Sequence, residues 1–294
     1  MDIGTVAVTG GNGWIGGRII EHLNDHGYET VDIARGKRRE EVSDTYLTTD
    51  LLDAGEVYGS LAAADPDALI HMGTIPHPLN HPGYVTFESN VMSTYHLLEA
   101  AGALGIDRVV VPSSINALGA AFQEALTDVR YLPVDEEHPR TPRDPYAISK
   151  HAIEVTADGF GRAADGPDSI ASLRYPWVAG TDELRERLVE TDRTIETGDL
   201  RRPTGERNEF FSYVHVDDAA AIARRAVEVD LGGHEVFWAV AADTTMETET
   251  ADLVDAFYAD AEVRREFEGT EGLIDISKAG ELLDWTPERS WRDP

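Results

Sequence analysis

Cysteine is absent from all 294 residues. That absence excludes disulfides, thiolate nucleophiles and cysteine–zinc sites together. No run of about 18 apolar residues occurs, so a transmembrane helix is not expected. The chain passes at once into the run Thr5-Val6-Ala7-Val8-Thr9, with no basic segment and apolar core of a secretory signal, and a cytoplasmic protein is expected. Basic residues are scarce: 25 Lys and Arg stand against 55 Asp and Glu, a formal net charge of -30. Such a surface repels phosphate backbones and anionic lipids, so nucleic acids and membranes are poor partners. The acids are spread over the whole length (Glu40-Glu41, Asp135-Glu136-Glu137, Glu247 to Glu249, Glu262 to Glu271) rather than gathered in a tail. A salt-adapted, halophilic protein is the reading this charge supports. An unusually acidic mesophilic protein is the alternative.

What is present is an ordinary packed core: the hydrophobic fraction is 41%, and the length allows one large domain with a smaller one attached. Short β-branched runs at Thr5 to Thr9, Glu29 to Ile33, Tyr46 to Thr48, Ala68 to Met72, Arg108 to Pro112 and Ser169 to Arg174 predict strands. Helical stretches lie between them at Trp14 to His26, Ala54 to Ala64, Val85 to Leu104 and Ser149 to Arg162, with Gly27 and Gly105 placed as left-handed stops. This alternation predicts an α/β fold, a doubly wound parallel sheet of the Rossmann kind. Beyond Tyr175-Pro176 the pattern is less regular. A charge-rich helix is expected over Asp182 to Arg193, a polar loop over Arg201 to Glu209, a helix over Ala219 to Val229, a strand over Glu235 to Val240 and a helix over Thr250 to Asp260. The expected division is a dinucleotide-binding domain of residues 1–175 and 211–234, and a smaller substrate-binding domain of residues 176–210 and 235–294.

Two motifs carry the chemistry. Thr9-Gly10-Gly11-Asn12-Gly13-Trp14-Ile15-Gly16 follows a strand and opens a helix. Its glycines permit a tight turn and close backbone approach to a pyrophosphate, which the helix N-terminus then attracts. Tyr146-Ala147-Ile148-Ser149-Lys150 puts a phenol and an ammonium on one helical face. A neighbouring cation favours phenolate, so the pair suits proton transfer near neutrality. Together they point to nicotinamide redox chemistry on a hydroxyl or carbonyl.

Gly-x-x-Gly-x-x-Gly with Tyr-x-x-x-Lys resembles the extended short-chain dehydrogenase/reductase family, which includes nucleotide-sugar epimerases and dehydratases and sugar and uronate dehydrogenases. The resemblance runs over nearly the whole chain. Asp50-Leu51 resembles the acid–aliphatic pair that holds adenine, and Asn90 lies in a matching helix. Val111 to Gly119 is similar to the segment carrying the catalytic serine. Tyr213 to Asp218 resembles the family's "FVHVDD" stretch, and Ser277-Lys278-Ala279 with Leu282 to Trp285 its C-terminal signature. The resemblance implies Tyr146 as acid/base, Lys150 as its tuning partner and holder of the nicotinamide ribose, and Ser114 as the hydroxyl that orients the substrate oxygen, with Ser113 the less favoured neighbour. Gly10, Gly13, Trp14, Ile15, Gly16, Met72, Gly73 and Tyr175 are the further expected cofactor contacts. Ile115 and Asn116 are expected near substrate, Asn116 equally as a turn amide. A homodimer through the third and fourth major helices is also implied.

An acidic residue at the end of the second strand would hold the ribose of NAD. Comparison with epimerase-like members places it about 18 residues after the third glycine, on Ala34 rather than Asp32. Arg35, Lys37, Arg38 and Arg39 follow at once, so a 2′-phosphate and NADP are favoured, with Arg35 and Arg38 as its expected contacts. A strand ending two residues earlier would give the ribose to Asp32 and the preference to NAD. His77-x-x-x-His81 invites a metal reading, but Pro76, Pro78 and Pro82 prevent the helix it would need, and no metal is expected. His77 is a candidate substrate contact or a plain loop residue; Trp177 is a sugar platform or core. Three functions compete: oxidation of a free aldose or uronate at C1, nucleotide-sugar epimerisation or dehydration, and coenzyme sensing without turnover. The short acidic C-terminal region favours the first. Arg201, Arg202 and Arg207 keep a diphosphate in play.

Overall fold

The computed structural model describes residues 3–39, 41–122, 126–195 and 206–293. In chain order the elements are β1 (Thr5–Thr9), α1 (Trp14–Asp25), β2 (Glu29–Ala34), β3 (Thr45–Thr48), α2 (Ala54–Ala64), β4 (Ala68–His71), α3 (Gly83–Leu104), β5 (Arg108–Ser114), β6 (Tyr131–Leu132), α4 (Pro145–Arg162), β7 (Ser169–Tyr175), β8 (Trp177–Ala179), α5 (Thr181–Leu184), β9 (Tyr213–His215), α6 (Val216–Glu228), β10 (Gly233–Trp238), α7 (Thr250–Phe257), β11 (Glu262–Val263) and α8 (Ser277–Leu283). Seven strands form one sheet in the order β10-β7-β5-β4-β1-β2-β3, every pair parallel. This is the expected doubly wound α/β architecture. The chain starts at β1, works outward to β3, then returns to β4 on the other side, so a crevice opens beyond the ends of β1 and β4.

Alternation along each strand builds two layers. Val6 and Val8 face Ile19, Ile20 and Leu23 of α1 and Ile222 of α6. Ala7 faces the opposite layer, with Leu61 of α2, Leu97 and Leu98 of α3 and Ile153 of α4. Burial on both faces explains why the strands read as continuous apolar runs. A separate core gathers Leu118, Leu132, Phe210, Phe211, Val240, Leu253 and Leu273, from segments between and after the major strands.

Four elements differ from expectation. β5 runs on to Ser114 because beyond Val110 it is paired only with β7, where a proline at 112 is tolerated. α4 begins at Pro145, not Ser149: Asp144 caps it by accepting from Ala147 N–H at 2.9 Å, and proline suits the first turn. Residues 235–238, assigned from sequence to the substrate lobe, are the last four residues of β10 and pair with β7 in the main sheet. The helix expected over Asp182 to Arg193 starts at Thr181, loosens into a π-helical turn at Arg185–Val189 and stops there.

Candidate active site

The glycine loop is packed so closely that side chains are excluded. Gly10 has φ +76°, and a Cβ on it would lie 2.8 Å from Gly73 N. A Cβ on Gly16 would collide with the Gly10 carbonyl oxygen. Gly10 N–H donates to Ile33 O at 3.0 Å and Gly13 N–H to Gly10 O at 2.9 Å. Gly13 precedes α1 without any side-chain cap, so first-turn N–H groups face the crevice where Gly13, Trp14, Ile15 and Gly16 lie. Met72 and Gly73 bound the same space, with Leu51, Ala34, Arg35 and Arg39 toward its outer end. These residues fit a dinucleotide: a cradle for pyrophosphate flanked by apolar walls.

At that outer end the strand ends at Ala34, not at Asp32. Asp32 is buried opposite Val8, and its carboxylate accepts Gly11 N–H at 3.0 Å. Burial raises its pKa, with the Gly11 bond and Arg38 opposing. Its side chain thus supports the loop from beneath. Arg38 donates to Ser43 O and Ser43 Oγ, turning to the segment before β3 rather than lining the crevice. Arg39 lies there instead, its N–H held by Asn12 Oδ1 at 3.0 Å. Asp50 is exposed before α2, its carboxylate accepting Leu52 N–H at 3.1 Å.

Asn90 does not face the crevice. Fully buried, it accepts Ile75 N–H at 2.7 Å, donates to Ile75 O at 3.2 Å and to Ser149 Oγ at 3.0 Å. It therefore clamps the loop after β4, which carries Thr74 and His77. His77 is half-buried at the junction between the nucleotide end and the reacting end, where its ring accepts Leu79 N–H at 3.4 Å. His71 is buried between Thr9 Oγ1 and Ser93 Oγ, and burial holds its pKa down at about 3. Among the described residues no group of three His, Asp or Glu could hold a metal ion.

Ser114, Tyr146 and Lys150 converge on one cleft of about 1100 Å³ that continues from the glycine loop. Ser114 Oγ accepts from Asn116 N–H and Nδ2, both at 3.2 Å, and donates to Tyr175 O at 3.3 Å. Ser113 is committed elsewhere, donating to Glu154 at 2.6 Å. Burial pushes the Tyr146 phenol up to about 12, partly offset by its hydrogen bond with Ser114 and reinforced by Asp144 and Glu209. Burial brings Lys150 down to about 7. Its ammonium donates to Pro112 O at 2.9 Å and Thr74 Oγ1 at 3.0 Å and stands 5.5 Å from the Tyr146 ring centroid. The expected lowering of the phenol by Lys150 is thus not realised in this arrangement, because burial outweighs a cation bonded away from the oxygen. Ile115 does not face the cleft as expected: its side chain is buried in the separate core with Leu118 and Phe211. Asn116 serves as a turn amide, accepting Ala121 N–H at 2.6 Å, while still bordering the cleft. Tyr175 lines the cleft but sends its hydroxyl to Ala219 O. Trp177 does so with Arg187 over its ring, 5.2 Å from the centroid.

Several site features escaped the sequence reading. Glu154 lies one helical turn beyond Lys150, on the Tyr146–Lys150 stripe, and binds Arg174 at 2.8 and 2.9 Å and Arg140 at 2.9 Å. The i, i+4, i+8 spacing was the available signal. Glu186, Arg193, Glu206 and Glu209 form the far wall; no local motif marks them. Arg207 stacks on Phe257, 5.4 Å from its centroid, and Arg201 and Arg202 lie outside the described residues.

Comparison with known proteins places this geometry in a family. A putative UDP-glucose 4-epimerase of Methanocaldococcus jannaschii is 26% identical over 96% of this chain and 93% of its own. Among solved structures, MoeE5 in complex with UDP-glucuronic acid and NAD superposes with a TM-score of 0.71 at 21% identity, covering 99% of this chain and 96% of its own. A mutated uronate dehydrogenase superposes at 0.66 with 22% identity, covering 99% and 84%. Residues 6–239 match the model of one family across the glycine loop, the serine segment and the Tyr-x-x-x-Lys helix, and the chain belongs to the NAD dependent epimerase/dehydratase family.

Proposed function

We propose that this protein is a nicotinamide-coenzyme-dependent sugar dehydrogenase that oxidises a free aldose or uronate at C1 to the lactone. The observation that carries the reading is the convergence of Ser114, Tyr146 and Lys150 on a cleft continuous with an uncapped helix N-terminus. The coenzyme, when bound, supplies the hydride acceptor. Gly10, Gly13 and Gly16 seat its pyrophosphate, and Ala34, Arg35 and Arg39 receive a 2′-phosphate, favouring NADP. Ser114 orients the sugar hydroxyl, and Tyr146 takes its proton as the hydride departs. Lys150, donating to Pro112 O and Thr74 Oγ1 beside the phenol, would hold the nicotinamide ribose. With the phenol raised to about 12, oxidation should accelerate as pH rises above neutrality.

A free sugar is favoured over a nucleotide sugar by the charges at the far end. Among the described residues there, Arg187 pairs with Glu183 and Arg193 with Glu206, which leaves neither cation uncommitted for a diphosphate. The names of the relatives favour the second reading, a nucleotide-sugar epimerase that returns its hydride. Incubation in high salt with NADP or NAD and a panel of aldoses, uronates and UDP-sugars separates the readings. Net absorbance at 340 nm supports the dehydrogenase; sugar interconversion without it supports the epimerase. Coenzyme binding with neither would restore the sensor. Strong NAD preference in kcat/KM would refute the phosphate site.

The net charge of -30 supports salt adaptation, so Tm should rise steeply from low to molar potassium chloride; equal stability without salt would refute it. Exposed Tyr84, Phe87 and Tyr95 on α3 and Ile148 and Val155 on α4 support a homodimer through those helices, to be checked by sedimentation in the same salt.

A further inference from the structure

Among the described residues that line the cleft, Glu209 is the carboxylate whose charge acts, alongside that of Asp144 at the start of α4, on the Tyr146 phenol. It is the last residue of a short helical turn, Glu206–Glu209, and lines the cleft together with Tyr146, Ser212 and Thr245. The turn is rigidly set. Phe211 N–H donates to Glu206 O at 2.9 Å and Ser212 N–H to Glu209 O at 3.0 Å. Phe210 and Phe211, both fully buried and both at positive φ, anchor the next two residues in the second core. Glu206 is engaged by Arg193 and by Thr245 Oγ1 at 2.8 Å. Glu209 is not: no described group hydrogen-bonds to its carboxyl, which is close enough to Tyr146 for its charge to oppose ionisation of the phenol. Burial, with Glu206 adding to it, raises Glu209 to about 7. Glu209 is half-buried on the wall of the cleft that Tyr146 lines, and a substrate hydroxyl entering that cleft would supply a donor to its carboxyl.

We propose that Glu209 reads the substrate: its carboxyl accepts a hydroxyl of an uncharged sugar and turns away sugars that carry a carboxylate or phosphate. The proposal rests on the dehydrogenase reading and narrows it to neutral aldoses. The charged groups that share the cleft with it are Glu206 on its own turn, Tyr146 and Lys150 from α4, and Glu186, Arg187 and Arg193 from the segment after β8, with Asp144 acting on Tyr146 from the start of α4. Arg187 is matched by Glu183 and Arg193 by Glu206, so among the described residues the cleft carboxylates left without a cation are Glu186 and Glu209, and of these only Glu209 acts on the Tyr146 phenol.

The test compares the wild type with Glu209→Gln and Glu209→Ala in NADP-linked assays on neutral aldoses and on uronates from pH 6 to 9, in high salt. The wild type should prefer the aldose, increasingly as pH rises through about 7. Glu209→Gln should lose about tenfold or more in kcat/KM for the aldose, mainly through KM, and its aldose-to-uronate ratio should no longer change with pH. Near-wild-type circular dichroism and coenzyme affinity would show that both variants are folded. A wild type that prefers uronate, or a ratio whose pH dependence survives both substitutions, overturns the Glu209 assignment while C1 oxidation stands. A wild type that turns over only UDP-sugars overturns both.

Discussion

The two ends of the cleft are built by opposite means. At the nucleotide end the recognising groups are backbone: N–H donors at the start of α1, with glycines at 10, 13 and 16 that remove side chains from the path. Among the described residues there, the buried acid Asp32 is bound to Gly11 N–H and supports the loop. At the reacting end the groups are side chains drawn from β5, α4, the segment after β7 and the 206–212 turn. There burial moves Tyr146 up, Lys150 down and Glu209 up. A backbone cradle holds a constant ligand without tuning. Proton transfer and sugar choice need groups whose charge can change, and burial supplies that.

Substitutions at either end should therefore fail differently. The largest effect belongs to Tyr146→Phe, which should lower kcat by roughly 10³-fold or more while leaving coenzyme affinity within a few-fold. Single-turnover rates alongside coenzyme titration measure both, and near-normal turnover would remove Tyr146 from the reaction. Next comes Glu154→Gln, which leaves buried Arg174 without its charge partner and should cost about 3 to 5 kcal/mol of stability by urea unfolding. Arg174 and the other partners hold Glu154 at about 2, below its usual 4.5. The stability it contributes is complete above about 4.5 and is lost as pH falls toward about 2. In the variant this acid-side loss should flatten; an unchanged acid slope would show that Glu154 does not govern it. The smallest effect is expected at the outer nucleotide end. Arg39→Ala should raise KM for NADP about tenfold and leave that for NAD unchanged. Equal effects on both coenzymes would show that the arginine does not read the 2′-phosphate.

Sequence alone determined the sheet and the cradle, because both rest on local rules. β-branched runs buried on both faces, helices between them and glycines at fixed offsets are legible within about 30 residues of chain. The strand over 29–34 illustrates the limit. Its apolar run placed Asp32 and Ala34 near its end, but only the pairing of Ala34 with Thr48 of β3 showed that the strand runs to Ala34, and only the Gly11 bond that Asp32 lies beneath the loop. Asn90 and Ile115 looked like contacts from their motif positions, yet packing turned one onto the Ile75 backbone and the other into a core. Glu154 could have been found on the Tyr146–Lys150 stripe, though its partners come from Ser113, Arg140 and Arg174. Glu209 carried no local signal at all. Its significance comes from being set beside Tyr146, 63 residues earlier, and a carboxyl's desolvation depends on what the folded chain puts around it. The sequence determined where the glycine cradle lies and which family the chain belongs to. Tertiary structure alone decided which charges are paired, which are buried and which face the substrate, because electrostatic energies depend on distance and solvent access rather than on order along the chain.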